Sequence, residues 1–185
     1  MSAEETVLDA AASPTVELRD VSKRYQSGEL VVDALRGLTL SIQPGEFTAI
    51  YGPSGSGKTT ALNLIGALDV ATSGQVLLEG RDLSLLSRRE LSRLRRDRIG
   101  FVFQAFNLLY HLTAAENVAL PAFFAGTLDG PAARERALEC LGFVGMDAAG
   151  ERRPSRPSGG SRQRVAIARA LFHAPPPLPC DAPTA

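Results

Sequence analysis

The segment that most constrains this chain is Gly-Pro-Ser-Gly-Ser-Gly-Lys-Thr at residues 52–59, which fits the pattern GxxxxGK[ST]. An apolar run from Glu46 to Tyr51 leads into it, and apolar residues at helical spacing follow from Thr59 to Leu68. A glycine-rich loop between a strand and a helix can point several backbone N–H groups at one place, where the helix dipole adds to their attraction for phosphate. The sequence therefore predicts a site for the phosphates of a nucleotide.

The residue types of this loop suit triphosphate and magnesium chemistry. We expect Lys58 to reach the β and γ phosphates and the Thr59 hydroxyl to coordinate Mg²⁺, while Gly55 and Gly57 allow backbone angles that a Cβ would forbid. The alternative is a glycine-rich turn with an incidental lysine, which the flanking strand and helix disfavour. The predicted nucleotide-binding residues of the loop are Gly52, Pro53, Ser54, Gly55, Ser56, Gly57, Lys58, Thr59 and Thr60.

Charge and composition exclude several classes of protein. The chain has 185 residues, 44% of them hydrophobic, which suits one globular domain, and twenty Lys and Arg balance twenty Asp and Glu. Six arginines fall between Ser87 and Arg98, but Glu90 and Asp97 interrupt them. We interpret this segment as a solvated helix face rather than a nucleic-acid surface, and we predict no nucleic-acid partner.

Periodicity predicts an α/β order of elements. We expect residues 1–13 to form a loose tail and the fold to begin near Pro14. The predicted strands are Thr15–Arg19, Leu38–Ile42, Glu46–Tyr51, Gln75–Leu78 and Ile99–Phe103, and the predicted helices are Thr59–Leu68, Ser87–Arg98, Ala132–Leu141 and Ser158–Leu171.

Cysteines, histidines and hydrophobic runs give no further chemistry. Cys140 and Cys180 lack CxxC spacing, so we expect buried thiols, and His111 and His173 have no metal-ligand partner at a suitable spacing. No run reaches about 18 consecutive apolar residues, and the acidic N-terminus has no signal-peptide pattern. We therefore expect the chain itself to stay in the cytoplasm.

A second anion-binding pattern decides between classes of nucleotide-binding protein. Ser158-Gly-Gly opens a helix, with the serine at the N-cap position and two unhindered amides behind it, and Arg-Val-Ala-Ile-Ala-Arg-Ala-Leu follows at residues 164–171. Together they resemble the signature segment of ATP-binding-cassette (ABC) ATPases, usually written LSGGQ and followed by QRVAIARAL. The resemblance extends from Val16 to Thr184.

The resemblance implies an α/β P-loop ATPase fold over residues 14–185. It implies a mixed sheet around the Gly52 loop, an N-terminal antiparallel β part and a helical subdomain over about residues 84–158. Tyr25 resembles the aromatic that stacks on adenine, and Gln104 resembles the Q-loop glutamine, which touches Mg²⁺ and water and meets the membrane subunit. Taken alone, Tyr25 could be a surface aromatic and Gln104 a solvated amide. The run Leu112–Pro121 is most similar to the lipoprotein-release and macrolide-export branch.

The resemblance also implies cofactors, partners and a location. ATP and Mg²⁺ are the expected cofactors, with Lys58, Gln104 and Asp181 as catalytic residues and Thr59, Gln104 and Asp181 around the metal. Two such domains close head to tail, so that ATP on one chain meets the signature of the other, and closure drives transmembrane permease subunits. The expected location is peripheral, at the inner face of the plasma membrane. The signature residues are Ser158, Gly159, Gly160 and Ser161.

The segment that matches the family's Walker B strand departs from its pattern. Asp181 is retained, but Ala182 stands where the family has its catalytic glutamate, and loss of a general base costs about 10²–10⁴-fold in rate. Pro176, Pro177 and Pro179 fall where a central strand should run, and proline cannot donate to a ladder. We therefore expect hydrolysis to be crippled and Asp181 to be poorly held.

The signature and the C-terminal end also differ from the family. Pro157 replaces the leucine and Ser161 the glutamine of LSGGQ, which weakens the helix start. The family's D-loop and switch histidine would lie beyond Ala185, so we expect a cassette truncated at Walker B, with its C-terminal strands missing.

Several functions therefore stay open. The first is the ATP-binding subunit of an export transporter, and the second is a hydrolysis-deficient cassette that acts as a non-catalytic partner. A third is a decayed gene product without a stable fold. A soluble ABC ATPase of DNA repair or translation is disfavoured, because no long insertion or zinc module separates the two motifs.

Overall fold

An antiparallel sheet and a group of helices make up the chain in the computed structural model, which describes residues 13–127, 129–153, 159–173 and 179–181. Two short 3₁₀ helices, Leu83–Leu85 and Asp147–Ala149, accompany the main elements. The strands are β1 (Val16–Ser27), β2 (Leu30–Ile42), β3 (Ser73–Leu78) and β4 (Arg81–Asp82), and the helices are α1 (Lys58–Ile65), α2 (Arg88–Arg98), α3 (Ala114–Ala125), α4 (Gly130–Phe143) and α5 (Gly159–Ala170).

The four strands lie in the order β2-β1-β3-β4, and every neighbouring pair is antiparallel. Val16 of β1 pairs with Ile42 of β2 on one side and with Leu78 of β3 on the other, which makes β1 a central strand. Val16 and Leu18 alternate inwards, and a register shift between Leu18 and Val21 changes the phase, so that Leu18 and Val21 both have no exposed surface. The predicted N-terminal antiparallel part is therefore confirmed.

One face of this sheet is covered by α1 and α2. Leu64 and Ile65 of α1 and Leu94 of α2 pack with the buried residues of β1 and β3. We call this group the sheet core. Its buried residues are Val16, Leu18, Val21, Leu64, Ile65, Ala67, Val76, Leu78, Leu83, Leu94 and Ile99.

A second group of buried residues joins α3, α4 and α5, and we call it the helical core. Many of its members are alanines, whose small side chains let the three helices approach closely. The predicted helical subdomain, about residues 84–158, stays a prediction; the packing puts α2 on the sheet core and α5 in the helical core. The buried residues of the helical core are Val102, Leu108, Ala114, Ala115, Val118, Ala122, Ala133, Ala137, Cys140, Leu141, Val165, Ala166, Ala168, Ala170 and Phe172.

Side-chain caps fix where the helices begin. Ser87 and Glu90 form a reciprocal capping box at α2, and Thr113 and Glu116 form another at α3. Helix α3 is not among the helices predicted from the sequence, although the Thr-x-x-Glu spacing at residues 113–116 is a signal for its start.

The predicted strand Glu46–Tyr51 is not formed, and neither is the mixed sheet expected around the Gly52 loop. Phe47 and Tyr51 are 93% and 90% exposed. The run is apolar enough for a strand, but a strand also needs a neighbour whose backbone groups pair with its own. Within the described part of the chain no strand lies beside it, so its pattern alone misled the prediction.

The expectation that Asp181 is poorly held is wrong. Val102 and Cys180 form a parallel bridge, in which the Val102 N–H donates to the Pro179 carbonyl at 3.0 Å and the Asp181 N–H donates to the Val102 carbonyl at 3.0 Å. Pro179 contributes only its carbonyl, so its missing N–H costs nothing here. The predicted strand Ile99–Phe103 is reduced to this bridge, and Pro176 and Pro177 lie outside the described residues.

Two smaller findings concern membranes and thiols. Among the described helices, none has both the length and the apolar character needed to cross a membrane. Cys140 is buried, as predicted, and burial raises the pKa of its thiol, whereas Cys180 is exposed, contrary to the prediction.

Candidate nucleotide-binding site

The loop that precedes α1 has the backbone that the glycine pattern predicts. Gly55 and Gly57 have φ of +78° and +89°, a region that other residues rarely occupy. Gly57 also lies against β2, where an added Cβ would be 2.4 Å from the Ala34 carbonyl oxygen. The loop therefore needs glycine at residue 57 for its conformation and for its contact with the sheet. Pro53, Ser54 and Ser56 are exposed, and the Ser56 N–H donates to the Pro53 carbonyl at 3.3 Å.

Lys58, the first residue of α1, holds its side chain across this loop. Its ammonium donates to the Gly52 carbonyl at 2.8 Å and to the Pro53 carbonyl at 2.7 Å. These bonds keep a positive charge beside the backbone N–H groups of the loop and the N-terminal end of the helix. A cation and a helix N-terminus together attract anions, phosphates above all.

Thr59 and Asp181 lie together although 122 residues separate them. The Thr59 hydroxyl donates to the two carboxylate oxygens of Asp181 at 3.1 and 3.4 Å. The bridge at Val102 places the carboxylate, and the first turn of α1 places the hydroxyl. Hydroxyl and carboxylate oxygens are ligands that Mg²⁺ prefers, and its other positions are usually filled by substrate phosphates and water.

This pair fits a magnesium ion that arrives with a nucleotide. The described residues contain no group of three or more His, Cys, Asp or Glu side chains able to hold a metal by themselves. Two protein oxygens beside a phosphate-binding loop match the way Mg²⁺ is shared between protein and phosphates.

Tyr25, on β1, is 41% exposed and held by two polar side chains. Its hydroxyl donates to Asp69 Oδ2 at 2.8 Å, and the Lys23 ammonium lies 4.8 Å from the centre of its ring. Partial burial raises the pKa of Tyr25, and the hydrogen bond to Asp69 raises it further. The contact of Asp69 with Tyr25 is not predicted from the sequence, since no local pattern links residues so far apart. The period of two along β1 could have placed Lys23 on the ring's side of the strand.

Gln104 is not brought into contact with Thr59 or Asp181. It lies exposed in a turn two residues after Val102, and its side chain makes no hydrogen bond to a described residue. Its predicted part in metal binding and catalysis stays a prediction.

The described signature residues lie at the start of α5, a helix whose later residues pack in the helical core. Gly159 and Gly160 are exposed, and Ser161 is half-buried. Ser161 borders a cavity of about 440 Å³ whose lining includes Arg152, Arg153 and Arg164. Ser158, like Ala182, lies outside the described residues.

The arginines of α2 have partners within the chain. Arg95 donates to the Ala67 carbonyl at 2.7 Å, and Arg98 pairs with Glu79 at 2.5 Å. Arg96 pairs with the neighbouring Asp97 at 2.5 Å. Three of the cations on this helix are thus engaged in contacts with the protein itself.

Comparisons with known proteins match most of this chain to one family. The family model described as ABC transporter matches residues 35–185. Over 172 residues the chain is 49% identical to the macrolide export ATP-binding/permease protein MacB of Marinobacter nauticus, covering 92% of this chain and 26% of that protein. It is 48% identical to an uncharacterized ABC transporter ATP-binding protein, MJ0796 of Methanocaldococcus jannaschii, covering 91% of this chain and 73% of that one.

Two solved structures of MJ0796 are similar to most of this chain. A dimeric structure of that bacterial ABC transporter cassette superposes with a TM-score of 0.82 at 48% identity, covering 88% of this chain and 72% of that chain. A second dimeric structure of MJ0796, in a post-hydrolysis state with ADP and Pi, superposes with the same TM-score of 0.82. The chain thus spans about a quarter of the MacB relative and about three quarters of MJ0796.

Proposed function

Because this chain belongs to the ABC transporter family, we propose that it is an ATP-binding subunit that couples ATP binding and hydrolysis to export through separate membrane subunits. The observation that best supports this is the meeting of Lys58, Thr59 and Asp181 at one loop, which joins a cation, a hydroxyl and a carboxylate. These are the groups that bind a magnesium nucleotide.

In this proposal the chain's own residues bind and orient the nucleotide. Lys58 exchanges its two carbonyl partners for phosphate oxygens, and the N–H groups that begin α1 bind the same phosphates. Thr59 and Asp181 would hold a magnesium ion that accompanies these phosphates. Bound Mg-ATP supplies a phosphoanhydride bond whose cleavage by water releases ADP and phosphate.

The exposed start of α5 suits a nucleotide bound to a second chain. Gly159 and Gly160 are open to solvent at the start of α5, a helix that packs in the helical core, whereas the Gly52 loop lies beside the sheet core. We therefore propose a head-to-tail dimer in which each α5 start meets the nucleotide of its partner. The relative MJ0796 forms a dimer, which supports association of two cassettes.

The proposed location follows from the proposed partners. MacB is an ATP-binding/permease protein, so in that relative the two activities are named together. We propose that this chain works at the cytoplasmic face of the plasma membrane, where permease subunits would carry the substrate. Export, by analogy with the macrolide-export relatives, is part of the same proposal.

The first experiment measures Mg-ATP binding and the oligomeric state of the parent chain and of a Lys58→Ala variant. Loss of charge-assisted hydrogen bonds should weaken binding about a hundredfold. Arg36→Ala, which removes a side chain 81% exposed on β2, is the matched control and should bind as the parent does. A parent chain that stays strictly monomeric in saturating Mg-ATP would argue against a working cassette.

A second candidate function is a cassette that binds ATP without hydrolysing it. Ala182 favours it, because a methyl group cannot accept a proton from the attacking water. An Ala182→Glu variant separates the two candidates: if only the missing base limits the chain, its turnover should rise by about 10²–10⁴-fold. Lys58-dependent turnover by the parent chain would exclude the non-catalytic function.

A further inference from the structure

We propose that Lys23 and Asp69 act as positioning residues that fix the ring of Tyr25, so that a nucleobase stacks on one defined face of it. The inference rests on the proposed nucleotide-binding function and adds two residues to it. We call Lys23, Tyr25 and Asp69 the ring clamp.

The contacts of the ring clamp form a closed set. Asp69 Oδ2 accepts from the Tyr25 hydroxyl at 2.8 Å, and Asp69 Oδ1 accepts from the Lys23 ammonium at 2.6 Å. The same ammonium lies 4.8 Å from the centre of the Tyr25 ring. Each member therefore touches the other two, and moving the ring would break contacts at both its edge and its face.

Backbone contacts anchor the clamp to the loop after α1. The Lys23 ammonium also donates to the Val70 carbonyl at 2.8 Å, and the Val70 N–H donates to Asp69 Oδ1 at 2.7 Å. The Lys23 side chain is only 12% exposed, and that of Asp69 is 29% exposed. Such a pair is less screened by salt than one on the open surface.

The negative charge of Asp69 is stabilised by the hydrogen bonds that it accepts. Partial burial opposes ionisation of Asp69, but hydrogen bonds from Lys23, Tyr25 and the Val70 N–H hold its pKa below the ordinary value. Asp69 is thus a carboxylate that accepts a hydrogen bond from the phenol.

The ring clamp determines which parts of the Tyr25 side chain can contact a ligand. Lys23 covers one face of the ring, so a planar base has the opposite face. The hydroxyl is already donated to Asp69, so the ring recognises a base by stacking rather than by a hydrogen bond to its edge.

The clamp lies close to the phosphate loop. Thr60, in the first turn of α1, lies near enough to the Tyr25 hydroxyl to lower its pKa, against the larger effects of burial and Asp69. The same helix begins with Lys58 and Thr59. One short helix therefore relates the predicted base-stacking residue to the predicted phosphate site.

The test compares binding of Mg-ATP with binding of magnesium tripolyphosphate, which has the phosphates but no base. Asp69→Ala and Tyr25→Phe should each weaken Mg-ATP binding about fivefold, the lower end of the range for a base stacked on an aromatic side chain, because each keeps the ring but removes the hydrogen bond that fixes it, and both should leave tripolyphosphate binding unchanged. The double variant should be no weaker than either single one, because both remove the same contact. The matched control is Asp33→Ala, which removes a β2 carboxylate that pairs with Arg24 at 2.6 Å and should not change either affinity.

Two results would overturn the clamp. One is an Asp69→Ala chain that binds Mg-ATP as tightly as the parent. The other is an equal loss of ATP and tripolyphosphate, which would show that the substitution disturbs the phosphate loop instead. Failure of the proposed function has a different signature, because the parent chain would then bind neither ligand and the clamp would fall with it.

Discussion

The sheet core and the helical core each carry one of the two predicted anion-binding segments, and they present them differently. The loop beside the sheet core is held by contacts within the chain, from Lys58 to the Gly52 carbonyl, from Thr59 to Asp181 and from Gly57 to Ala34. At the start of α5, a Cβ added to Gly159 or Gly160 would meet no atom of the residues that the structure describes within 4 Å. The phosphate loop thus makes its contacts within a single chain, whereas the start of α5 is exposed to solvent.

This difference explains how one chain can have two anion-binding segments without two complete sites. A preorganised loop binds a ligand with little reorganisation. An open helix start is suited to a ligand that another molecule brings. If the two segments differ in this way, substitutions in the loop should affect nucleotide binding by a single chain, and substitutions at the start of α5 should affect the association of two chains.

The largest expected effect is on the stability of the helical core. The Asn117 side chain, with no exposed surface, accepts from the Leu109 N–H at 2.8 Å and donates to the carbonyls of Leu109 at 3.0 Å and Thr113 at 2.9 Å. Asn117→Ala removes these bonds and leaves the Leu109 N–H without its partner, whereas the carbonyls of Leu109 and Thr113 keep the backbone N–H groups of Leu112 and residue 117; the loss should cost about 3 kcal/mol in urea denaturation. The control is Gln163→Ala, which removes an exposed amide from α5 and should change stability little.

The Asn117→Ala chain also tests the independence of the two cores. If the sheet core carries the phosphate loop by itself, Lys58-dependent ATP binding should persist under conditions where the variant stays folded. Loss of ATP binding in a folded variant would contradict the division between the cores.

A smaller effect is expected at Gly57. Gly57→Ala should lower the free energy of unfolding by about 2 kcal/mol, because its Cβ would lie 2.4 Å from the Ala34 carbonyl oxygen in addition to the strain of alanine at positive φ, and the resulting shift of the loop should also weaken ATP binding. Gly55→Ala is the control, since Gly55 has a similar φ of +78° but no atom within 4 Å of an added Cβ. Equal losses at the two positions would show that the contact with β2 does not matter.

At Gly160 we expect an effect on association alone. Gly160→Ala should leave folding and single-chain ATP binding unchanged and should weaken the Mg-ATP-dependent dimer about tenfold, because the methyl group blocks close approach of the partner's phosphates. Analytical ultracentrifugation measures this directly. Gly130→Ala, at the equally open start of α4, should leave the dimer intact. A dimer that tolerates Gly160→Ala would place the interface elsewhere.

The smallest effect concerns pH. Hydrogen bonds from the backbone and side chain of Thr113 lower the pKa of Glu116 from its ordinary 4.5. A lowered pKa means that the carboxylate stabilises the fold above pH 4.5 and that this contribution is lost as the pH falls through the folded-state value. Glu116→Gln should therefore flatten the acid side of the stability profile. An unchanged profile would show that the α3 cap contributes nothing measurable.

The sequence predicted the parts of the site that depend on local backbone geometry. The positive φ of Gly55 and Gly57, the start of α1 and the helix after Gly159 all follow from short patterns in which each residue type has a fixed place. The antiparallel strands followed from alternation along β1 and β2.

The features that the sequence could not predict depend on contacts between residues that lie far apart along the chain. The run Glu46–Tyr51 looks like a strand, but its state depends on neighbours that its own residues do not specify. Asp181 was expected to be poorly held because of the prolines. The bridge at residue 180, however, uses the Asp181 N–H as its donor and needs only a carbonyl from Pro179. Asp69 reaches Tyr25 across 44 residues, and only the folded chain brings the two together.

The exposed run before the phosphate loop affects how the protein behaves at high concentration. Phe47 and Tyr51 are almost wholly exposed on a segment that pairs with none of the described strands, and Val31 and Val32 of β2 are about half exposed. Such surfaces associate edge to edge, and charge repulsion is the main force that keeps them apart. Because the formal net charge is zero and the isoelectric point is about 6.7, colloidal stability should be lowest near neutral pH. Purification at about pH 8.5 to 9, or with a charged additive that binds the protein surface, should keep the chain in solution long enough for its nucleotide binding to be measured.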